Sequence, residues 1–296
     1  MLLNKRMSIS DFLKTIKVDI LLITSYAIVV GILDQYGFLS KISVPVGVTA
    51  VLGTAVALLL AFRTNQSYER WWEARIIWGA IVNDSRTLIR QCISFFERSN
   101  ESYEPIVKEM ADRQIVWCYA LGESLRKLSF SCKVQEYIVS NRIEAINVPN
   151  ALLSQHSETL LKAKENNMVN DFQQVQIDST IARLCDSMGK CERIKNTVFP
   201  KAYSMLIHTI IYVFATMLPF GLSDKYLAVE IGLTIVVPII FIAIEKTSML
   251  MQDPFENQPF DTPMTDLAQT IEINLKQMIG NENLPVKKES ESYYIL

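Results

Sequence analysis

Hydrophobic and polar positions fall into two regimes along this chain. In four stretches apolar residues run on almost without a charge, and elsewhere they recur at three- and four-residue steps with charges between them. The cleanest stretch is residues 43–62, which holds no charged residue and passes directly into Arg63-Thr64-Asn65-Gln66-Ser67-Tyr68-Glu69-Arg70-Trp71-Trp72-Glu73-Ala74-Arg75. A helix needs about 20 apolar residues to cross the hydrocarbon core, so 43–62 reads as a membrane span. Its charged and aromatic continuation contains no Gly or Pro before Gly79, so nothing local stops the helix at the membrane surface. One helix leaving lipid for water is predicted, an arrangement suited to conducting something along it.

The other spans are predicted at 18–33, 203–222 and 227–244. The first carries Asp19 at its start, the third His208 and Pro219, and the last Glu230 and Pro238. Proline is tolerated in a span when neighbouring helices satisfy the freed carbonyls. Basic residues flank one side: Lys5, Arg6, Lys14 and Lys17 before the first span, Arg63, Arg70 and Arg75 after the second, Lys190, Arg193, Lys195 and Lys201 before the third, and Lys246 after the fourth. The opposite loops, 34–42 and 223–226, carry only Lys41 and Lys225. By the positive-inside rule both termini and the region 64–202 are cytoplasmic.

That central region reads as helical. Trp71, Trp72, Ile76, Trp78, Ile81, Val82, Leu88, Ile89 and Ile93 recur at helical steps, with Asp84, Arg86 and Arg90 between them. Further helices are predicted over 105–128, with Pro105 in its first turn, and over 134–146, 150–164 and 171–195, with Val148-Pro149 separating the third from the second. No alternating strand pattern is present. The chain is thus read as all-α: a four-transmembrane-helix bundle continuous with a cytosolic helical domain. Its parts are 1–62 (N-terminal segment and two spans), 63–202 (cytosolic helices), 203–246 (two spans), 247–280 (C-terminal helical region) and 281–296, a tail whose Lys287, Lys288, Glu289 and Glu291 predict disorder.

Composition fits a membrane protein with a substantial soluble part: half of the 296 residues are hydrophobic and a fifth charged. A net charge of −2 argues against nucleic acid as partner. Cys92, Cys118, Cys132, Cys185 and Cys191 lack paired metal spacing, and their odd number gives no disulfide framework; buried free thiols are expected. Residues 1–16 mix polar and apolar positions without a small-residue cleavage site. An enzyme is disfavoured: His156 and His208 are the only histidines, and there is no glycine-rich phosphate loop, nucleophile elbow or metal-ligand cluster.

The run Phe62-Arg63-Thr64-Asn65-Gln66-Ser67-Tyr68, then Arg70-Trp71-Trp72-Glu73-Ala74-Arg75 and Trp78-Gly79, resembles the prokaryotic bestrophin family. So do Gly189-Lys190-Cys191-Glu192-Arg193-Ile194, the segment from Ala202 to His208 with Met217-Leu218-Pro219-Phe220, and Asp253-Pro254-Phe255. The resemblance covers most of the chain, from the second span to about residue 280. It implies a homopentameric ion channel in the cell (inner) membrane, passing monovalent ions through an axial pore lined by the second span. Animal bestrophins pass chloride and other anions, and the prokaryotic branch is associated with monovalent cations such as sodium; branch resemblance favours cations here, with an anion channel as the alternative. Anchored on Phe62-Arg63, the family pattern puts the membrane neck at Thr54, Leu58 and Phe62, with a lower cytosolic constriction at Phe172.

The residues agree with that reading. Thr54, Leu58 and Phe62 share one helical face at i, i+4 and i+8, and a ring of apolar side chains offers an ion no ligands, so a tight neck gates by dewetting. Thr54 departs from the family's large apolar residue, and a ring of hydroxyls there would be wetter. Leu58 and Phe62 are equally acceptable as ordinary packing residues. His208, in mid-span, is either a functional ionisable group or a neutral imidazole bonded between helices. Glu230 either faces the entrance or is solvated at the interface. Arg63, Glu69, Arg70, Glu73 and Arg75 can form ion pairs at i, i+4 spacing or between subunits, and the tryptophans are read as packing anchors. The segment 253–261 resembles the calcium clasp of animal bestrophins, but only Asp253, Glu256 and Asp261 are acidic, short of the six to eight oxygens calcium takes; no metal or cofactor is expected. From another class, a non-conducting sensor or scaffold would use the spans only as anchors.

Overall fold

The computed structural model describes residues 9–36, 38, 43–197, 199–222 and 227–286. The loop lysines Lys41 and Lys225 and the tail residues 287–296 lie outside the described residues; residues 281–286 form no helix. In chain order the helices are α1 (Ile9–Thr15), α2 (Lys17–Gln35), α3 (Val46–Phe95), α4 (Tyr103–Leu125), α5 (Cys132–Ser140), α6 (Val148–Glu165), α7 (Asp171–Asn196), α8 (Lys201–Met217), a 3₁₀ turn (Pro219–Gly221), α9 (Leu227–Gln252) and α10 (Met264–Met278). There is no strand among the described residues, so the chain is all-α as expected. The uninterrupted helix is α3, whose 50 residues extend about 75 Å at 1.5 Å per residue.

Local chemistry explains where the predicted boundaries moved. Helix α6 starts two residues earlier than expected because the Asn147 side chain accepts a hydrogen bond from the Asn150 backbone N–H at 3.1 Å. Val148-Pro149 therefore forms its first turn instead of separating helices. Helix α7 opens on a reciprocal capping box: Asn170 Oδ1 accepts from the Gln173 N–H, and Gln173 Oε1 accepts from the Asn170 N–H, each at 2.9 Å. Helix α5 ends at Ser140, short of the expected residue 146, because Arg142 takes a left-handed φ of 51°.

Two compact units divide the chain, and α3 contributes to both. Among the described residues, one comprises 9–70 and 199–253; the other comprises 71–197 and 254–286. The changeovers fall a few residues beyond the apolar stretches where the sequence suggested boundaries, except before α8. In the first unit packing continues past the apolar residues because polar groups on α3 find partners. Ser67 Oγ lies 3.0 Å from Ser248 Oγ, and Arg70 pairs with Asp253 at 3.6 Å.

The first unit is built around Ile23, Val56, Leu60, Ile207, Ile211, Phe214 and Ile242, drawn from α2, α3, α8 and α9. Close approaches use glycine: a Cβ on Gly221 would lie 2.8 Å from both Thr49 Oγ1 and Thr49 Cγ2. By length and composition α2, the front of α3, and α9 are each apolar enough to cross a membrane. Helix α8 is apolar but has 17 residues, because the expected third span breaks at Leu218 into the 3₁₀ turn that begins with Pro219.

The second unit packs around Trp78, Ile81, Leu88 and Ile89 of α3 with Met110, Trp117 and Leu121 of α4, Leu152 of α6, Leu184 of α7 and Leu275 of α10. Trp78 is fully buried, as an anchor should be, and Trp71 Nε1 donates to the Phe260 carbonyl at 2.7 Å. Trp72 and Ile76 are about half exposed and belong to no core within the protomer. Of the five thiols, Cys92, Cys118 and Cys191 are buried, which pushes each up to about 12; Cys132 and Cys185 are exposed, against the expectation that all are buried.

Candidate functional site

On the front of α3 two faces separate. Thr49, Val56, Leu60, Arg63 and Ser67, spaced at helical intervals, are all at most 5% exposed and pack into the protomer. At 100° per residue, Thr54, Leu58 and Phe62 lie on the opposite side of the helix. Leu58 and Phe62 are 56% and 57% exposed, large apolar side chains that this protomer leaves uncovered. The Thr54 hydroxyl donates to the Ala50 carbonyl at 2.9 Å. Its donor is therefore engaged within the helix. Beside this face a groove of about 520 Å³ opens between α3 and α9, lined among others by Ala57, Ala61, Tyr68 and Phe241.

One residue beyond Phe62 the character changes. Arg63 is wholly buried, and its guanidinium is held from three sides. Nη1 meets Glu245 Oε1 of α9 at 3.3 Å, Nη2 donates to Ser204 Oγ of α8 at 3.0 Å, and the Phe199 ring lies 5.4 Å away. The second oxygen of Glu245 lies 2.9 Å from His208 Nδ1. An ionised carboxylate only accepts, so the ring nitrogen is the donor. Glu245 is 5% exposed at its side chain and His208 is 50% exposed. Around the imidazole, Tyr212 packs at 5.0 Å between ring centroids, and its hydroxyl donates to Asp19 of α2 at 2.7 Å.

His208 therefore takes the interhelical hydrogen-bonding role, with a partner the sequence did not suggest. Glu230 is not brought to it: residues 230 and 245 of α9 are about 22 Å apart along the helix axis. Glu230 is itself 4% exposed, so interfacial solvation does not describe it in the protomer. The charges that follow Phe62 find partners of three kinds: another helix, the segment after α9, and α3 itself. Glu73 pairs with Arg193 at 2.7 Å, Arg70 with Asp253, and Glu69 accepts from Asn65 at 2.8 Å. Glu245 was missed because it closes an apolar stretch beside Lys246, where it reads as an ordinary flanking charge. Its signal was depth: Arg63 and Glu245 stand at the ends of two predicted spans that are flanked by basic residues.

In the other unit, Phe172 lies in the first turn of α7 and is 88% exposed, with Val175 beside it at 69%. The carboxylates of segment 253–261 are engaged separately. Asp253 meets Arg70, and Glu256 meets Lys195 Nζ at 2.6 Å. Asp261 Oδ2 accepts from the Gln258 N–H at 3.1 Å, and burial raises this carboxyl to about 6. Among the described residues no three His, Cys, Asp or Glu side chains gather as a metal site.

An all-α chain with helices of membrane-spanning length, and a long helix that presents one apolar face outward, defines a class of multi-span membrane protein. Within that class the chain belongs to the bacterial and fungal bestrophins: the family model described as "Bacterial/Fungal Bestrophin protein" matches residues 5–277. It is 29% identical over 251 residues to the voltage-dependent anion channel-forming protein YneE of Escherichia coli K12, covering 83% of this chain and 81% of the relative. It is 25% identical over 265 residues to the voltage-dependent anion channel-forming protein sll1024 of Synechocystis, covering 88% and 85%. The crystal structure of a bacterial bestrophin homologue from Klebsiella pneumoniae superposes with a TM-score of 0.82 at 25% identity, over 90% of this chain and 99% of that one. Bestrophins are ion channels, and the enzyme reading is set aside.

Proposed function

We propose that this chain forms a homopentameric channel in the cell membrane that passes anions passively through a neck lined by Thr54, Leu58 and Phe62. The observation that carries the neck is the pair of large apolar side chains, Leu58 and Phe62, left uncovered on the side of α3 away from its own protomer. Five copies around an axis would turn that face inward as a ring without ion ligands, where water and ions are held back together. The groove flanking α3 is where the neighbouring copy would pack. Phe172, uncovered on α7, would form the lower constriction. Four spans with both termini cytoplasmic complete the reading, α8 and the 3₁₀ turn together making the third.

Ion choice is the point at which the reading changes. The neck is neutral, and the sodium preference came from resemblance to a branch of the family. The relatives matched over four-fifths of the chain carry names that specify anion channels, which supports the anion alternative instead. Purified protein in planar bilayers under a sodium chloride gradient separates these. Reversal near the chloride potential is expected, and reversal near the sodium potential would restore the cation reading. No current from intact oligomers would favour a scaffold. Leu58→Ala and Phe62→Ala should each raise conductance several-fold by wetting the neck; conductance indifferent to both would remove the neck assignment.

A further inference from the structure

We propose that Glu69 places a ring of negative charge at the end of the neck beyond Phe62, where it holds anions back and gathers cations. The inference rests on the channel reading above and adds a selectivity residue to the three assigned to the neck. Residues 58 and 69 are eleven positions apart, which is three turns and about 20° on an ideal helix. Residues 62 and 69 are seven apart, two turns less about 20°. Glu69 therefore shares the face of α3 that presents Leu58 and Phe62, and Asn65 lies on that face between them. All four, with Thr54, are exposed in the protomer, whereas Val56, Leu60, Arg63 and Ser67 fill the opposite side. The apolar run on this face ends at Phe62, and Glu69 is its first charge, about 10.5 Å further along the axis.

The charges of this length of α3 do not cancel at Glu69. Between residues 46 and 70 the charged side chains are Arg63, Glu69 and Arg70. Arg63 pairs with Glu245 and Arg70 with Asp253, so each guanidinium is offset by a carboxylate. Among the described residues no basic side chain pairs with Glu69, whose Oε1 accepts from Asn65 Nδ2 at 2.8 Å. That bond steadies the carboxylate along the exposed face without neutralising it. One uncompensated charge per protomer becomes a ring when copies surround an axis, and rings of carboxylates favour cations. Their potentials add at the shared opening, lowering the local anion concentration and raising that of cations. A neutral neck leaves the sign of the ion to charges at its ends. The distance of about 10.5 Å from Phe62 is close to the Debye length of about 10 Å at 0.1 M salt. The ring therefore acts on the neck at low salt and is screened from it at high salt. Its sign opposes the anion preference proposed above, so removing it should strengthen that preference.

The test is the reversal potential of the full-length channel in planar bilayers under a sodium chloride gradient, for the wild type and for Glu69→Gln, Glu69→Arg and Glu69→Asp. At a mean salt of about 0.1 M, Glu69→Gln should raise the chloride-to-sodium permeability ratio about threefold or more. Glu69→Arg reverses the charge and should raise the ratio further, whereas Glu69→Asp keeps the charge and should stay near the wild type. At about 1 M, where the Debye length falls to about 3 Å, the wild type and Glu69→Gln should converge. A ratio indifferent to both Glu69→Gln and Glu69→Arg overturns the proposal while leaving the channel reading intact. So does a Glu69→Asp channel that moves as far as Glu69→Gln, because shape and not charge would then be responsible. A difference that persists undiminished at about 1 M overturns it as well. If the substituted chains do not assemble, the wild type alone decides: its ratio should rise between about 0.1 M and about 1 M, and a ratio that does not rise overturns the proposal. Absence of current in every protein, wild type included, overturns the channel reading and the proposal with it.

Discussion

Removing the Glu245 carboxylate while leaving Arg63 in place should be among the most damaging single changes in the membrane unit. The guanidinium is fully buried, and its side chain has no route to water within the protomer. In Glu245→Ala it keeps only the Ser204 hydroxyl at 3.0 Å and the Phe199 ring at 5.4 Å. Breaking a buried ion pair from one side costs about 3–5 kcal/mol, because it strands a charge in a medium of low dielectric constant. Arg63→Met strands the carboxylate instead, which still receives the His208 N–H, so its cost should sit at the lower end of that range. Replacing both, as Arg63→Met with Glu245→Leu, removes both charges together, and such swaps are often neutral or stabilising. The double variant should therefore lie within about 1 kcal/mol of wild type, far from the sum of the single changes. Unfolding of detergent-purified protein by titration with sodium dodecyl sulfate, followed by circular dichroism, gives the four corners of the cycle. If Glu245→Ala costs less than about 1 kcal/mol, or if the double variant is as unstable as the summed singles, the pair is not the buried tie described above.

Two further changes have expected outcomes. Asp261 has its carboxyl raised by burial to about 6 from 3.8, so the fold holds this proton more tightly than the unfolded chain does. Relative to Asp261→Asn, the wild type should gain up to about 3 kcal/mol as the pH falls from 7 through 6 toward 4. Hydrogen exchange in segment 253–263, compared between the two proteins at each pH, would read the gain, and a difference that does not vary with pH contradicts it. Gly221→Ala places a Cβ 2.8 Å from a Thr49 side chain whose hydroxyl is already fixed on the Val46 carbonyl at 2.9 Å. It should lower stability by about 1–3 kcal/mol in the same detergent titration, and an unchanged midpoint would show that α3 yields easily there.

Most of the helical fold could be read from the chain because period and breakers act locally. The unbroken α3 followed from the absence of Gly or Pro between residues 54 and 78. What failed was also local in cause. Val148-Pro149 looks like a separator until Asn147 is known to cap the helix, and the end of α5 depends on a left-handed Arg142 that no residue type announces. The site divided in the same way. The exposed face with Leu58 and Phe62 is a matter of periodicity along one helix. The partner of His208 is not: it required knowing which residue of α9 lies level with residue 208 of α8, a register that spans 37 positions.

That register bears on the uncovered face of α3 as well. A smooth apolar helix in a bundle has little to fix its rotation, since Val56 and Leu60 could be exchanged for neighbouring apolar positions at small cost. Arg63 and Ser67 extend the same buried stripe with groups that have specific partners, Glu245 and Ser204 for one and Ser248 for the other. Turning α3 by one residue, 100°, would carry the guanidinium away from its carboxylate and cost several kcal/mol. It would also carry Leu58 and Phe62 off the uncovered face. The polar ties from Arg63 onward thus fix the rotation of the apolar length that precedes them. Buried polar pairs often contribute little net stability, but this one selects which side chains of α3 the protomer leaves uncovered.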